Sequence, residues 1–409
     1  MSKNIIVGQS GGPTAVINSS LAGVFKTAKT LGAEKIYGMR NGIEGFLNEH
    51  IVEMKDLLRT DIDLELLKRT PSAYLGSCRY KLPHADKSPE LYEKIFTILK
   101  KFEIECFFYI GGNDSMDTIA QLTLYSEKIK SNIRFIGIPK TIDNDLVITD
   151  HTPGYGSAAK YVATTMKELI RDAKVNDMDV VTIVEIMGRD AGWLTGAAAL
   201  SKGVDCPGPD LIYLPEVTFD IDAFINRLVE IQKNNRSITV AVSEGIRMAD
   251  GTYVCEYTDS TNRTTDAFGH KQLTGTALVL SQIVTDRLGC KVRAIEFSTL
   301  QRSAAHLQSE TDAHEAFRVG SFGVHAAFAG ETGKMVSINR VADEPYQSAT
   351  ELIDVQLVAN KKKDVPLDWI NEEGNYVTSG FVSYVKPLIM GEVSPVIIDG
   401  IPRHIEYIK

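Results

Sequence analysis

Short uninterrupted apolar runs alternate along the chain with longer stretches in which apolar residues recur at helical spacing. The runs at 5–7, 106–110, 135–138, 180–186, 211–214, 238–242 and 292–297 predict strands. Helices are expected over 15–31, 89–101, 115–124, 158–173, 221–233 and 275–288. Because the strand runs lack polar alternation, both faces of each sheet should be covered, as in parallel sheets. The order of elements predicts three-layer α/β architecture, and 409 residues suffice for two such domains. No Pro/Ser-rich linker separates two halves. The chain is therefore expected to cross between domains several times.

Composition narrows the class. With 44% hydrophobic and 24% charged residues the chain is an ordinary globular protein, not a disordered one. A net charge of −9, from 44 basic and 53 acidic residues, excludes the basic surface of a nucleic-acid binder. An anionic ligand must then be held by local basic groups against an unfavourable overall field. The five cysteines (78, 106, 206, 255 and 290) are scattered without a C-x-x-C pair, which points to a reducing compartment. The N-terminus runs straight into an apolar strand, and no apolar run approaches membrane length, so a cytoplasmic location is expected. The basic run Lys361-Lys362-Lys363 reads as a solvated loop.

Ligands of open parallel sheets sit beyond the carboxyl ends of the strands, where loops meet helix N-termini. Four such ends are rich in polar residues and glycine. The first, Gly8-Gln9-Ser10-Gly11-Gly12-Pro13-Thr14, has a glycine pair that lets backbone N–H groups approach an anion. It is neither a Walker A loop nor G-x-G-x-x-G, and a tight turn explains it equally well. The second, Gly111-Gly112-Asn113-Asp114-Ser115, sets a carboxamide and a carboxylate at a helix start. An N-cap accounts for one of those polar residues but not for the set.

The third end, Pro139-Lys140-Thr141-Ile142-Asp143-Asn144-Asp145, is the most informative. Asp143 and Asp145 are two apart, so in extended chain both point to the same side. Paired carboxylates can hold a general base and tune it through its neighbour, and Lys140 supplies a point charge for a phosphate. The fourth, Met187-Gly188-Arg189-Asp190-Ala191-Gly192, suits a sugar phosphate or carboxylate. Glu244 follows another strand and can accept hydrogen bonds from sugar hydroxyls, while Arg293 and Arg302 can fork onto a phosphate. Each of these charges alone reads equally well as surface. Their shared position at strand ends shifts the balance towards a site.

In order along the chain, Ser10-Gly11-Gly12, Gly76-Ser77-Cys78-Arg79, the segments 111–115 and 139–145, Met187-Gly188-Arg189, Ser243-Glu244 and Leu300-Gln301-Arg302 resemble the phosphofructokinase family. The resemblance implies two Rossmann-like domains with mainly parallel sheets. One, for the phosphoryl donor, would comprise about 1–154 with about 301–352; the other, for fructose 6-phosphate, about 155–300 with about 353–409. It implies Asp143 as catalytic base, Asp145 as a supporting carboxylate and Arg79 as the group that offsets charge on the transferring phosphoryl. Gly11, Gly12, Arg79 and Lys140 match the donor site. Thr141, Ile142, Asp143, Met187, Gly188, Arg189, Glu244, Arg293, Thr299 and Arg302 match the sugar-phosphate pocket. Mg²⁺ is the implied cofactor, with Asn113 at the metal position. Homodimer or homotetramer formation is implied, without nucleic-acid or membrane partners.

Donor choice rests on two positions. ATP-using members typically carry glycine where this chain has Asp114 and Lys140. Asp114 adds bulk and negative charge opposing a third phosphate and its nucleoside, while Lys140 suits a small, highly charged donor. Both residues resemble the pyrophosphate-dependent branch, which implies reversible transfer from pyrophosphate to the 1-hydroxyl of fructose 6-phosphate. The alternatives are an ATP-dependent member and a non-catalytic sugar-phosphate-binding paralogue. Departures from the family pattern are Asn113 in place of an aspartate, Thr299 in place of an aromatic or histidine, and Val180 or a near neighbour in place of an intersubunit arginine.

Overall fold

The apolar runs form two separate sheets, both interior to the molecule. The structure is a computed structural model that describes residues 3–175, 178–257, 273 and 275–408. The chain first lays down β1 (Asn4–Gln9), β2 (Ile36–Met39), β3 (Ile51–Glu53), β4 (Ile104–Gly111) and β5 (Arg134–Pro139). It then builds β6 (Val180–Ile186), β7 (Leu211–Tyr213), β8 (Ser237–Ser243) and β9 (Lys291–Glu296) before returning with β10 (Lys334–Asp343) and β11 (Tyr346–Asp354). The larger sheet runs β11-β10-β5-β4-β1-β2-β3 and the smaller β7-β8-β6-β9. Within these two sheets only the edge strands β3 and β11 pair antiparallel, and a separate small hairpin joins Ile397–Ile398 to Ile401–Pro402.

Alternate residues of the central strands serve opposite cores. Ile5 and Val7 pack with Leu21 and Val24 of helix Ile17–Thr30 and with Val319 and Val324 of helix Glu310–Ala329. Ile6, between them, packs with Ile95 of helix Pro89–Lys101 and Ile119 of helix Asn113–Lys128. The smaller sheet is likewise covered on both sides. Helix Tyr155–Ala173 and Trp193 cover one face; helices Ile221–Gln232 and Thr276–Leu288 cover the other. The expected three-layer arrangement with mainly parallel sheets is therefore what forms.

All seven expected strands and all six expected helices are present, most with ends moved by a few residues. The main helix that periodicity did not indicate is Glu310–Ala329. Its small residues blunt the apolar stripe because it meets helix 17–30 backbone to backbone. A Cβ on Gly23 would meet the Phe317 carbonyl oxygen at 2.1 Å, and one on Gly320 would meet that of Ser20 at 2.1 Å.

Helix 310–329 also organises the segment that follows β5. The Asp312 carboxylate accepts the N–H groups of Gly154 and Ser157, both at 2.8 Å, and so caps helix 155–173. One turn on, Glu315 reaches the buried His151, whose Nε2 lies 2.5 Å from Glu315 Oε2 and whose Nδ1 lies 2.7 Å from Asp150 Oδ2. Burial alone would lower the His151 pKa. The Glu315 charge and hydrogen bonds to both carboxylates override it and raise the group to about 9. Burial likewise opposes ionisation of Glu315. The His151 charge, with hydrogen bonds from His151, Ser348 and Tyr346, nonetheless pulls it down to about 2. Arg340 binds Asp150 from the other side, with Nη2 3.0 Å from Oδ2.

Two predictions concern stability. Gly320→Ala should lower it by roughly 1–3 kcal/mol in urea denaturation, because a methyl group there meets backbone that cannot move aside. His325→Ala, on the exposed side of the same helix, should leave it unchanged. The second concerns pH. A histidine raised from 6.5 to about 9 contributes stability that is complete below 6.5 and lost as pH rises through 9. The loss should amount to ~3 kcal/mol. Denaturation at pH 6 and pH 9.5 should show it in the native chain and not in His151→Gln; equal pH dependence of the two proteins would refute it.

Candidate active site

The carboxyl ends of the two sheets open on one cleft of about 480 Å³, lined by the loops after β1, β4, β5, β6 and β8. On the side of the larger sheet the glycine pairs bring three loops into contact. Gly11 adopts a φ of +75°, and its carbonyl is held by Ser77 Oγ at 2.6 Å. Its N–H donates to Cys78 O at 3.2 Å, which ties the segment carrying Arg79 to the first loop. Lys140 N–H donates to Gly111 O at 2.9 Å, and its ammonium donates to Gly12 O at 2.7 Å. A Cβ on Gly12 would sit 3.5 Å from Arg302 Nη1. Lys140 and Arg302 thus bring two cations to the Gly11-Gly12 backbone. Asp114, in the first turn of helix 113–128, faces Lys81 at 3.9 Å.

The side of the smaller sheet supplies a different set. Gly188 donates its N–H to Glu244 Oε1 at 3.2 Å, and its carbonyl accepts from Ser243 Oγ at 2.5 Å. These contacts join the β6 and β8 loops and set Met187, Arg189 and Glu244 on the cleft wall. Met187 N–H also donates to Gln301 Oε1 at 3.4 Å, which ties in the segment carrying Arg302. Arg189 Nε is buried without a protein partner among the described residues, a donor that folding alone leaves unsatisfied.

Between the two sides lies the loop after β5. Thr152 Oγ1 donates to Thr141 O at 2.8 Å, and Asn144 bridges Thr152 N–H and the Tyr384 hydroxyl, at 3.1 and 2.9 Å. Asp143 and Asp145 both line the cleft. Burial raises both carboxyls, and for Asp143 the neighbouring Asp145 charge adds to it, bringing it to about 7. Burial lowers Lys140 to about 8 despite the opposing charges of Asp143 and Asp145. Glu244 rises to about 8, chiefly through burial. Acids and bases therefore stand close to neutrality, where small changes in surroundings move protons.

Of the residues expected in the site, Gly11, Gly12, Arg79, Asp114, Lys140, Thr141, Ile142, Asp143, Asp145, Met187, Arg189, Glu244 and Arg302 line the cleft. Gly188 lies directly behind the wall, bonded to Glu244. Arg293 and Thr299 are not among the lining residues. Arg293 sits in mid-strand opposite Thr182, three residues before β9 ends, and pairs with Asp172 at 3.1 Å. Thr299 is exposed and directs its carbonyl into the short helix Leu300–Ser303, accepting from Ser303 Oγ at 2.9 Å. Asn113 is on the wall, but its carboxamide is engaged. Oδ1 accepts the Asn360 N–H at 2.6 Å, and Nδ2 donates to Lys361 O.

That engagement exposes what the sequence reading overlooked. Asn360, Lys361 and Lys362 line the cleft, and Lys363 is anchored beside it rather than solvated. Nothing local marks the run as functional, because its partners lie far away in the chain.

Comparisons with known proteins identify the family. The family model described as phosphofructokinase matches residues 4–296. The pyrophosphate–fructose 6-phosphate 1-phosphotransferase of Halomonas elongata is 39% identical over 98% of this chain and 95% of that protein. That of Rhodospirillum rubrum is 40% identical over 94% of each. The crystal structure of the pyrophosphate-dependent phosphofructokinase from Marinobacter aquaeolei superposes with a TM-score of 0.87 at 35% identity, covering 99% of this chain and 96% of that one. With the strand-end loops and the whole chain both accounted for, this protein belongs to the phosphofructokinase family.

Proposed function

We propose that the chain catalyses reversible transfer of a phosphoryl group from pyrophosphate to the 1-hydroxyl of D-fructose 6-phosphate, giving fructose 1,6-bisphosphate and phosphate. The observation that carries the donor assignment is the buried Lys140 ammonium, fixed 2.7 Å from Gly12 O in the same wall as Asp114. A concentrated cation there suits a short, highly charged donor. The Asp114 carboxylate occupies the helix N-terminus that a longer polyphosphate would otherwise use.

In this reading Asp143 takes the proton from the sugar 1-hydroxyl as its oxygen attacks the terminal phosphorus, and the anhydride P–O bond breaks to release phosphate. Burial, reinforced by the Asp145 charge, keeps the Asp143 pKa high enough for proton transfer near neutrality. Arg79, Lys140 and Arg302 offset charge at the transferring group, while Arg189 and Glu244 hold the sugar phosphate. The larger sheet, with about 1–154 and 301–352, handles the donor; the smaller, with about 155–300 and 353–409, handles the acceptor.

Mg²⁺ fits the cleft as an ion carried largely by substrate. No three His, Cys, Asp or Glu side chains form a protein cage among the described residues, but Asp114, Asp143 and Asp145 are on the wall. One or two carboxylates, water and phosphate oxygens are the usual Mg²⁺ ligands. When bound, the ion supplies further neutralisation of the phosphoryl charge. The proposed setting is a cytoplasmic homodimer or homotetramer. All five cysteines are free thiols, and among the described residues no helix is long and apolar enough to cross a membrane.

Asp143→Asn should lower kcat by ~10²–10⁴ while fructose 6-phosphate still binds in calorimetry. Because the base must be deprotonated and its pKa is raised to about 7, kcat/KM of the native enzyme should climb through neutral pH. A flat profile from pH 5.5 to 8.5 would remove Asp143 from that role. Parallel assays with pyrophosphate and ATP test the donor. Strong turnover with ATP alone would reject the assignment, and Asp114→Gly with Lys140→Gly should reduce pyrophosphate kcat/KM at least ~10²-fold.

A further inference from the structure

After β11 the chain passes a short 3-10 turn, Val355–Leu357, and then crosses the N-terminal end of helix 113–128. Segment 360–363 is fastened on both sides of the cleft. On the side of the larger sheet, Asn113 holds Asn360 N–H and Lys361 O with the two ends of one carboxamide, and Asn360 Nδ2 donates to Asp117 Oδ1 at 3.1 Å. On the other side, Lys362 Nζ donates to Asp190 O at 2.7 Å, and Lys363 O accepts from Trp193 Nε1 at 3.0 Å. The segment is also tied to the catalytic loop. Lys363 N–H donates to Asp145 O at 2.8 Å, and its ammonium donates to Asp150 O at 2.8 Å.

The three lysines thus have separate fates. Lys363 is consumed as an anchor and Lys362 closes on the β6 loop. Lys361, exposed and held among the described residues through its backbone, presents a side chain on the cleft wall near the start of helix 113–128. Charge gives that placement a purpose. The cleft lining carries five carboxylates against seven basic side chains, and two of the seven come from this strap. Without the strap the lining would be balanced, although both substrates are polyanions.

We propose that segment 360–363 is a donor-binding strap. Lys361 contacts the phosphate of pyrophosphate that is not transferred, and Asn113 is the positioning residue that pins the strap over the cleft. Asn113 accordingly acts as a clamp and not as a Mg²⁺ ligand. A carboxylate at that position would keep the acceptor for Asn360 N–H but lose the donor to Lys361 O.

The proposal rests on pyrophosphate being the donor, and the test separates the two. Steady-state kinetics of the full-length chain give KM for pyrophosphate and for fructose 6-phosphate separately. Calorimetry with methylenediphosphonate and Mg²⁺ reads donor-site binding without turnover. Lys361→Ala should raise the pyrophosphate KM about tenfold and weaken methylenediphosphonate to match, with the fructose 6-phosphate KM unchanged. Lys361→Arg should restore most of the loss. Asn113→Ala and Asn113→Asp should both reproduce the donor-selective defect, without a lower Mg²⁺ requirement for the aspartate. An unchanged pyrophosphate KM in Lys361→Ala, equal changes in both KM values, or tighter Mg²⁺ in Asn113→Asp would overturn it. If the native chain failed to use pyrophosphate, the donor assignment would fall; methylenediphosphonate binding to the Lys361 variants would still decide the strap.

Discussion

The loop that follows β5 has to carry two half-buried carboxylates and a buried lysine into the wall of the cleft, and several distant segments meet that demand. Burying such groups is unfavourable unless neighbours with fixed geometry compensate, and here those neighbours come from every direction. Lys140 is settled by the Gly12 carbonyl, and the chain between Thr141 and Thr152 is closed by its own hydrogen bonds. Beyond it, His151 and Asp150 are gripped by Glu315 and Arg340 from the returning part of the chain. Lys140 and Asp143 stand close to neutrality chiefly through burial, while Glu315 and Arg340 hold the chain beyond them. Support and chemistry are separated by only a few positions in sequence, Asp145 on one side and Asp150 on the other.

Much of this was legible before any coordinates. Strands with continuous apolar runs stood out because burial on both faces leaves a local signature, as in the alternation of Ile5, Ile6 and Val7 between two cores. The strand-end loops were legible because backbone approach requires glycine and charge compensation requires a short list of side chains. What was not legible depends on contacts between distant segments. Helix 310–329 hides its identity because its contact with helix 17–30 is made through small residues such as Gly320, which narrows its apolar stripe. Arg293 shows a different limit: its sequence is suggestive, while within this chain its mid-strand position keeps it three residues from the loop end. Of Asn113 only the neighbours in sequence were visible, whereas its carboxamide partners are 247 and 248 positions away.

The charge balance has a similar lesson. A chain with a net charge of −9 can still attract polyanions, provided that its cations are concentrated where the ligands bind. The acidic remainder then acts at longer range, where salt screens it, while the cleft acts at contact distance. Asp114, 3.9 Å from Lys81 in the same lining, sets a negative charge beside those cations.

Helix 310–329 also has a mechanical meaning. It meets helix 17–30 through backbone atoms on one flank, and through Asp312 it holds the start of helix 155–173 on another. The first of those helices follows a loop of the larger sheet, and the second packs beneath the smaller one. A shaft bolted to both plates leaves little freedom for sliding. Sliding one plate past the other would have to break either that backbone packing or the Asp312 hydrogen bonds.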